Sequence, residues 1–129
     1  LSVMLKNRII LGVLEMIVAL GAIPTGISMI ISPDGSGMGL DLAWLESSPF
    51  DTYLIPGVFL LIFNGILQLT GAWLTFRKSA VAGYFGMAVG MILIFWLLAQ
   101  IYYLELTHFL QVVFFVIGLF EVYLGRKLP

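Results

Sequence analysis

The sequence predicts an all-α protein: an antiparallel bundle of four membrane-spanning helices, with both termini on the inner side of the membrane. Three observations predict this fold class, namely the composition, four long apolar runs and the positions of the charges. Of the 129 residues, 61% are apolar and 10% are charged, and the mean hydropathy is +1.12. Soluble domains are about one-half apolar and one-quarter charged. The composition therefore excludes a soluble enzyme, a disordered tail and a nucleic-acid binder.

The four apolar runs predict four helices within a single domain, residues 1–129. A helix needs about 20 apolar residues to cross a bilayer. The last run is the shortest, and we expect that helix to extend to His108 and Gly125. A cleavable signal peptide is the alternative for the first run, but that run is longer than a signal segment and no cleavage motif follows it. The predicted helices cover residues 9–31, 54–76, 81–104 and 108–125.

The charges predict the orientation of these helices. All six basic residues lie in three pairs at the two termini and in the turn between the second and third helices, whereas five of the seven acids lie on the opposite side. Because basic residues mark the cytoplasmic side, we expect a multi-pass protein of the cell membrane with cytoplasmic termini. The pairs are Lys6/Arg8, Arg77/Lys78 and Arg126/Lys127, and the acids are Asp34, Asp41, Glu46, Asp51 and Glu105.

The connections between the helices differ greatly in length. Short turns around residues 77–79 and 105–107 require antiparallel neighbours. The outer loop, residues 32–52, is long, and its segment 40–46 predicts a short amphipathic helix that lies along the membrane interface. Ser48 and Asp51 have the spacing of a helix cap, which predicts that the second helix begins before the bilayer does.

Small residues recur at alternating steps of three and four on each predicted helix. Because such residues let membrane helices approach closely, they mark the faces that pack together. Their period of about 3.5 residues predicts a left-handed bundle with one shared interior. The glycines expected at these contacts are Gly12, Gly26, Gly71, Gly83, Gly86, Gly90 and Gly118.

Three polar residues are expected in the inner half of the bundle: Glu15, Gln68 and Glu121. An ionised carboxylate inside a bilayer costs about 2.5 to 3.5 kcal/mol on insertion scales, so such a group is protonated, paired or in contact with water. We therefore interpret the three residues as candidates for ligand binding or proton linkage. For Glu121 the alternative is an ordinary salt bridge to the Arg126/Lys127 pair at the end of its own helix.

A second polar group is expected in the outer half. Gln100, His108 and Gln111 lie near the turn that contains Glu105, with Asn64 below them near the midplane, and together they predict an outward-facing polar pocket. With a single histidine and no cysteine, a metal site is not expected. No catalytic motif is present, so we expect neither an enzyme nor a cofactor.

The four-helix layout with a long first outer loop resembles the DoxX-like group of small bacterial membrane proteins. The resemblance rests on the segment 65–71, Gly-Ile-Leu-Gln-Leu-Thr-Gly, followed by Arg77-Lys78 and a glycine-rich helix. That group often carries a glutamate early in its second helix, where this chain has Asn64, so no functional residue is carried over. Glu15, the lone acid of the first predicted helix, also resembles the substrate- and proton-binding glutamate of small multidrug exporters, but those proteins lack the long outer loop.

These observations favour a small bacterial membrane protein that acts as an accessory or ligand-binding module. Its expected partners are membrane lipid and an apolar small molecule, such as a lipid or a quinone, bound between the helices, because a few polar groups within apolar walls are typical of a small-molecule site. The first alternative is a proton-coupled transporter of lipophilic or cationic compounds that uses Glu15. The second is a structural subunit that docks on a partner membrane protein or on a second copy of itself. No nucleic-acid partner is expected.

Overall fold

The computed structural model describes residues 2–104 and 109–128, and every regular element in this part of the chain is helical. Each of the four long helices is long and apolar enough to cross a membrane, which indicates a multi-pass membrane protein. The predicted all-helical class and the number of helices are confirmed for these residues. The helices are α1, Val3–Ile31; α2, Leu54–Phe76; α3, Ala82–Leu104; and α4, Phe109–Lys127.

The bounds of α2 and α3 lie within one residue of those predicted. Helix α1 begins six residues earlier than its apolar run, because the Ser2 hydroxyl accepts a hydrogen bond from the Leu5 amide at 3.1 Å and caps the first turn. Helix α4 continues to Lys127. The predicted start of α4 at His108 and the turn 105–107 lie outside the described residues.

The helices pack closely through the glycines. At one end of the molecule Gly12 of α1 lies against the Phe76 ring of α2, and toward the other end Gly26 lies against the backbone of Gly57. A Cβ atom added at any of the seven predicted packing glycines would come closer than 3.0 Å to an atom of another helix. The helices therefore approach at the positions that the small-residue pattern indicated.

The loop 32–53 covers one end of the bundle, which we call the outer end; the turn 77–81 lies at the inner end. The loop contains two short 3₁₀ helices, Ser36–Met38 and Leu42–Leu45. The Asp41 carboxylate caps the second of these by accepting from the Ala43 amide at 2.9 Å. Within the amphipathic segment Leu45 is the buried residue, whereas Leu42 and Trp44 are exposed.

The predicted cap at Ser48 is wrong. The Ser48 hydroxyl donates to the Leu45 carbonyl at 2.8 Å and accepts from the Phe50 amide at 3.2 Å, so it closes a local turn within the loop. Helix α2 begins only at Leu54, after Tyr53, whose side chain makes no capping bond. Serine and a following acid occur in turns as well as in caps, and the sequence spacing alone did not separate the two.

Helix α2 departs from α-helical geometry in its middle. Leu60–Ile66 forms a π-helical segment, after which the Leu67 amide donates to the Ile62 carbonyl, five residues earlier. The widened turns present Leu60, Asn64 and Gly65 to the interior. Short π-helical segments often occur at functional sites, and this one surrounds the only asparagine within the predicted spans.

Candidate functional site: an outer cavity above a buried polar cluster

Five polar side chains in the described part of the chain have no exposed surface: Glu15, Asn64, Gln68, Thr75 and Glu121. Three of them lie on one face of α2, since Gln68 follows Asn64 by four residues and Thr75 follows Gln68 by seven. These three side chains form a polar column along the inside of α2. Glu121 from α4 and Glu15 from α1 meet this column from the other helices.

Gln68 joins α2 to both α3 and α4. Its Nε2 atom donates to Glu121 Oε1 at 2.9 Å and to the Val89 carbonyl oxygen at 3.4 Å. Both hydrogens of the amide nitrogen are therefore used. This arrangement differs from the alternative of a salt bridge at the end of α4: Glu121 is buried against Gln68, while Lys127 lies over the Tyr123 ring.

Glu15 lies closer to the inner end than Glu121 does, and its carboxyl group contacts Thr75. The two residues are joined by a hydrogen bond of 2.7 Å between Glu15 Oε1 and Thr75 Oγ1, and Thr75 Oγ1 is also 2.7 Å from the Gly71 carbonyl oxygen. The absence of a side chain at Gly71 leaves room for the Glu15 carboxyl group. At the inner end Arg8 donates to the Thr75 carbonyl oxygen at 3.5 Å.

Three oxygen atoms of this inner cluster have no hydrogen-bond partner in the described structure: Glu15 Oε2, Gln68 Oε1 and Glu121 Oε2. All three are acceptors unless a carboxyl group carries a proton. The described contacts of the two glutamates are to hydroxyl and amide groups rather than to a cation. The inner cluster therefore has more acceptors than donors.

A cavity of about 440 Å³ lies in the outer half, and all four helices line it. Asn64 reaches this cavity from α2, and neither its Oδ1 nor its Nδ2 atom has a partner in the described structure. A pair of glutamines stands across the cavity, with Gln111 Nε2 donating to Gln100 Oε1 at 3.0 Å. The remaining walls are mainly apolar, with Leu60, Leu93, Trp96, Leu97 and Phe114 among them.

A smaller cavity of about 110 Å³ lies directly under the outer loop. Leu45, Phe50 and Tyr53 form its outer side. Trp96 and Gln100 line both cavities and so stand at the boundary between them. The Trp96 ring is held in place by stacking on Phe59, with ring centroids 5.2 Å apart.

The structure divides the predicted site residues into two groups. Asn64, Gln100 and Gln111 line the outer cavity. Gln68, Glu121 and Glu15 lie in the inner cluster, and Glu15 does not line the cavity. His108 and Glu105 lie outside the described residues.

Sequence reasoning did not select Thr75 and Arg8 as site residues. The signal for Thr75 was its position on the same helical face as Gln68, but threonine is common in membrane helices, where its hydroxyl can bond to its own backbone. Among the described residues, no group of three or more histidine, cysteine, aspartate or glutamate side chains has an arrangement that could hold a metal ion.

Comparison with known proteins found no matching family model, no matching curated protein and no matching solved structure.

Proposed function

We propose that this protein is an antiparallel four-helix membrane protein, with cytoplasmic termini, that binds an apolar small molecule in the outer cavity. The cavity has a volume of about 440 Å³, within the range of about 300 to 1,000 Å³ that is usual for small-molecule sites. Its lining also has the usual composition of such a site, with a few polar groups among apolar and aromatic walls.

The observation that carries this proposal is that the buried amide group of Asn64 has no hydrogen-bond partner in the described structure. Both the amide oxygen and the amide nitrogen lack a partner there, and the side chain is fully buried. A buried amide without hydrogen bonds is costly, by about 1–3 kcal/mol for each group left unsatisfied. A ligand that carries both an acceptor and a donor, such as an ester or ketone with a neighbouring hydroxyl, would satisfy Asn64 while its hydrocarbon part fills the cavity.

The alternative of a transporter that binds its substrate on Glu15 has less support from the geometry. Glu15 does not line the cavity, and one oxygen of its carboxyl group is hydrogen-bonded to Thr75. The outer cavity instead favours an apolar ligand over a cationic one, because the described residues that line it include no charged side chain. The subunit alternative makes a separate prediction, a stoichiometric protein partner after purification in mild detergent.

Native mass spectrometry of the purified protein tests the proposal. We expect the wild type to retain a small apolar molecule, and we expect the variant Asn64→Leu, which is close in volume, to lose most of it. The matched control is Asn7→Leu, because Asn7 is the only other asparagine and lies near the start of α1, away from the cavity.

Retention of the same molecule at the same occupancy in Asn64→Leu would contradict the proposal. Purification of the wild type with no bound molecule, but with a protein partner at a fixed ratio, would contradict it in favour of the subunit alternative.

A further inference from the structure

The inner cluster contains a conflict in its hydrogen bonds that points to a bound proton. Thr75 has one hydroxyl hydrogen, yet its Oγ1 atom lies 2.7 Å from two oxygens, Glu15 Oε1 and the Gly71 carbonyl oxygen. If Glu15 is ionised, one of these two short contacts joins acceptors with no hydrogen between them. A proton on Glu15 resolves the conflict, since Glu15 then donates to Thr75, and Thr75 donates to Gly71.

Glu121 has a similar shortage of donors. Gln68 Nε2 donates one hydrogen to Glu121 Oε1 and the other to the Val89 carbonyl oxygen, so it has none left to donate. Glu121 Oε2 and Gln68 Oε1 remain, and both are acceptors without a partner. A proton on Glu121 Oε2 would supply the donor that this pair of groups lacks.

The electrostatics of the cluster also favour protonated carboxyl groups. Glu15 and Glu121 are fully buried, and both carboxyl groups bond to the same helix, α2, through Thr75 and Gln68. Two negative charges inside a membrane helix bundle repel each other as well as losing hydration. Of the basic residues that the structure describes, Arg8 contacts the cluster, and it donates to the Thr75 backbone and not to either carboxylate.

The described residues outside this cluster include no charged side chain in contact with either carboxyl group. Arg77 and Lys78 of the inner turn are exposed, and Arg77 lies over the Trp73 ring. Within α2 and α3 the sequence has no charged residue, and Tyr103 of α3 lies at the smaller outer cavity. The remaining charged or titratable residues of the described helices are exposed: Lys6, Tyr84, Tyr102, Tyr123, Arg126 and Lys127.

We propose that Glu15 and Glu121, with Thr75 and Gln68, form a proton-binding site in the inner half of the bundle that holds two exchangeable protons at neutral pH. This site is separate from the cavity around Asn64, and the proposal does not rest on a ligand in that cavity.

Infrared spectroscopy of the protein in lipid nanodiscs at neutral pH tests the site through the carbonyl stretching band of protonated carboxylic acids. We expect the wild type to show this band with an intensity of two carboxyl groups, and the band to shift in D₂O. Glu15→Gln and Glu121→Gln should each remove half of the intensity. The matched control is Glu46→Gln in the outer loop, where the glutamate is exposed; it should leave the band unchanged.

The variant Thr75→Val keeps both carboxyl groups and provides a second measurement if the glutamine variants do not fold. We expect it to change the frequency of the Glu15 component and to leave the total intensity unchanged. Absence of the band in the wild type at neutral pH would overturn the proposal. A band of full intensity in both glutamine variants would also overturn it. If the band disappears when Na⁺ replaces choline at constant pH, the cluster is a Na⁺ site and the proposal is likewise overturned.

Discussion

Gly71 illustrates how a single small residue positions the inner cluster. A Cβ atom added there would collide with the Glu15 carboxyl group, whereas a Cβ added at Gly21 would lie 3.6 Å from the Phe114 ring, an ordinary contact distance. In the observed conformation the Glu15 carboxyl group occupies the space that a side chain at this position of α2 would fill.

We therefore expect Gly71→Ala to destabilise the protein by about 1–3 kcal/mol, the usual cost of overpacking a close-packed interior. Thermal unfolding in detergent measures this effect. Gly21→Ala is the control, and it should be neutral or slightly stabilising because alanine favours helix more than glycine does. Equal stability of the two variants would show that the Glu15 carboxyl group does not need the space at Gly71.

For individual residues, the sequence indicated which side chains lie in the interior but not which hydrogen bonds they form. Asn64, Gln68 and Glu121 were predicted to face inward because polar side chains are costly against lipid. Their positions along the helices also predicted Gln68 and Glu121 in the inner half, with Asn64 near the midplane below the outer pocket. Which side chains bond to one another depends on which helices are neighbours. The sequence contains no direct record of that, and the contacts of Thr75 and Arg8 could not be predicted for the same reason.

The π-helical segment Leu60–Ile66 is the main feature of α2 that the sequence did not reveal, since its residues have the same apolar pattern as a regular helix. A π-helical turn accommodates an extra residue without changing the direction in which the flanking turns face. Removal of one residue from this segment is therefore expected to be tolerated by the rest of the helix.

We expect deletion of Ile62, an exposed residue, to leave the helical content and the packing of α2 against α1 intact while it moves Asn64 out of the cavity. Deletion of Leu69, an exposed residue in the regular part of α2, should rotate Asn64 relative to Thr75 and abolish folding. Circular dichroism and thermal unfolding distinguish the two variants. Unfolding of both to the same extent would contradict the proposed role of the π-helical segment.

Tyr53, the last residue of the outer loop, holds two earlier parts of that loop in place. Its hydroxyl donates to the Asp41 carbonyl oxygen at 2.7 Å, and its amide donates to the Pro33 carbonyl oxygen at 2.8 Å. Burial of the ring, and then the negative charge of Asp41, raise the pKa of the Tyr53 hydroxyl above its ordinary value of 10.0. The folded loop therefore favours the neutral form of Tyr53.

A group whose pKa is raised by folding stabilises the fold below its unfolded pKa, and this contribution is lost as the pH rises through the folded pKa. We expect the loop to stay attached until the pH is above 10.0. The difference in ultraviolet absorbance between wild type and Tyr53→Phe should then show tyrosinate forming at a higher pH than in free tyrosine. Tyr53→Phe should also cost about 0.5–1.5 kcal/mol, the typical value of one hydrogen bond. Titration of Tyr53 at the pH of free tyrosine would contradict this account.

For the whole molecule, the four helices followed from composition and the lengths of the apolar runs, because the bilayer sets the length of a spanning helix. The small-residue pattern also indicated the positions of close approach. The sequence predicted an outward-facing polar pocket but not the size or shape of the cavity, because the cavity arises where four helices fail to fill the space between them, and that depends on their relative placement.

The orientation of the bundle is testable because the chain contains no cysteine. We expect a cysteine introduced at Ser36, in the outer loop, to react with a membrane-impermeant maleimide added outside right-side-out vesicles. A cysteine at Ala80, in the inner turn, should react only after the vesicles are opened. Both positions are exposed in the structure. The reverse pattern would place the termini outside.

The position of Trp96 and Gln100 between the two cavities has a kinetic consequence. Under the proposed function, a ligand that enters the larger cavity from beneath the outer loop would pass this pair before it reaches the amide of Asn64. A smaller side chain at Trp96 would then speed both association and release, whereas a change at Asn64 would shorten the residence time alone.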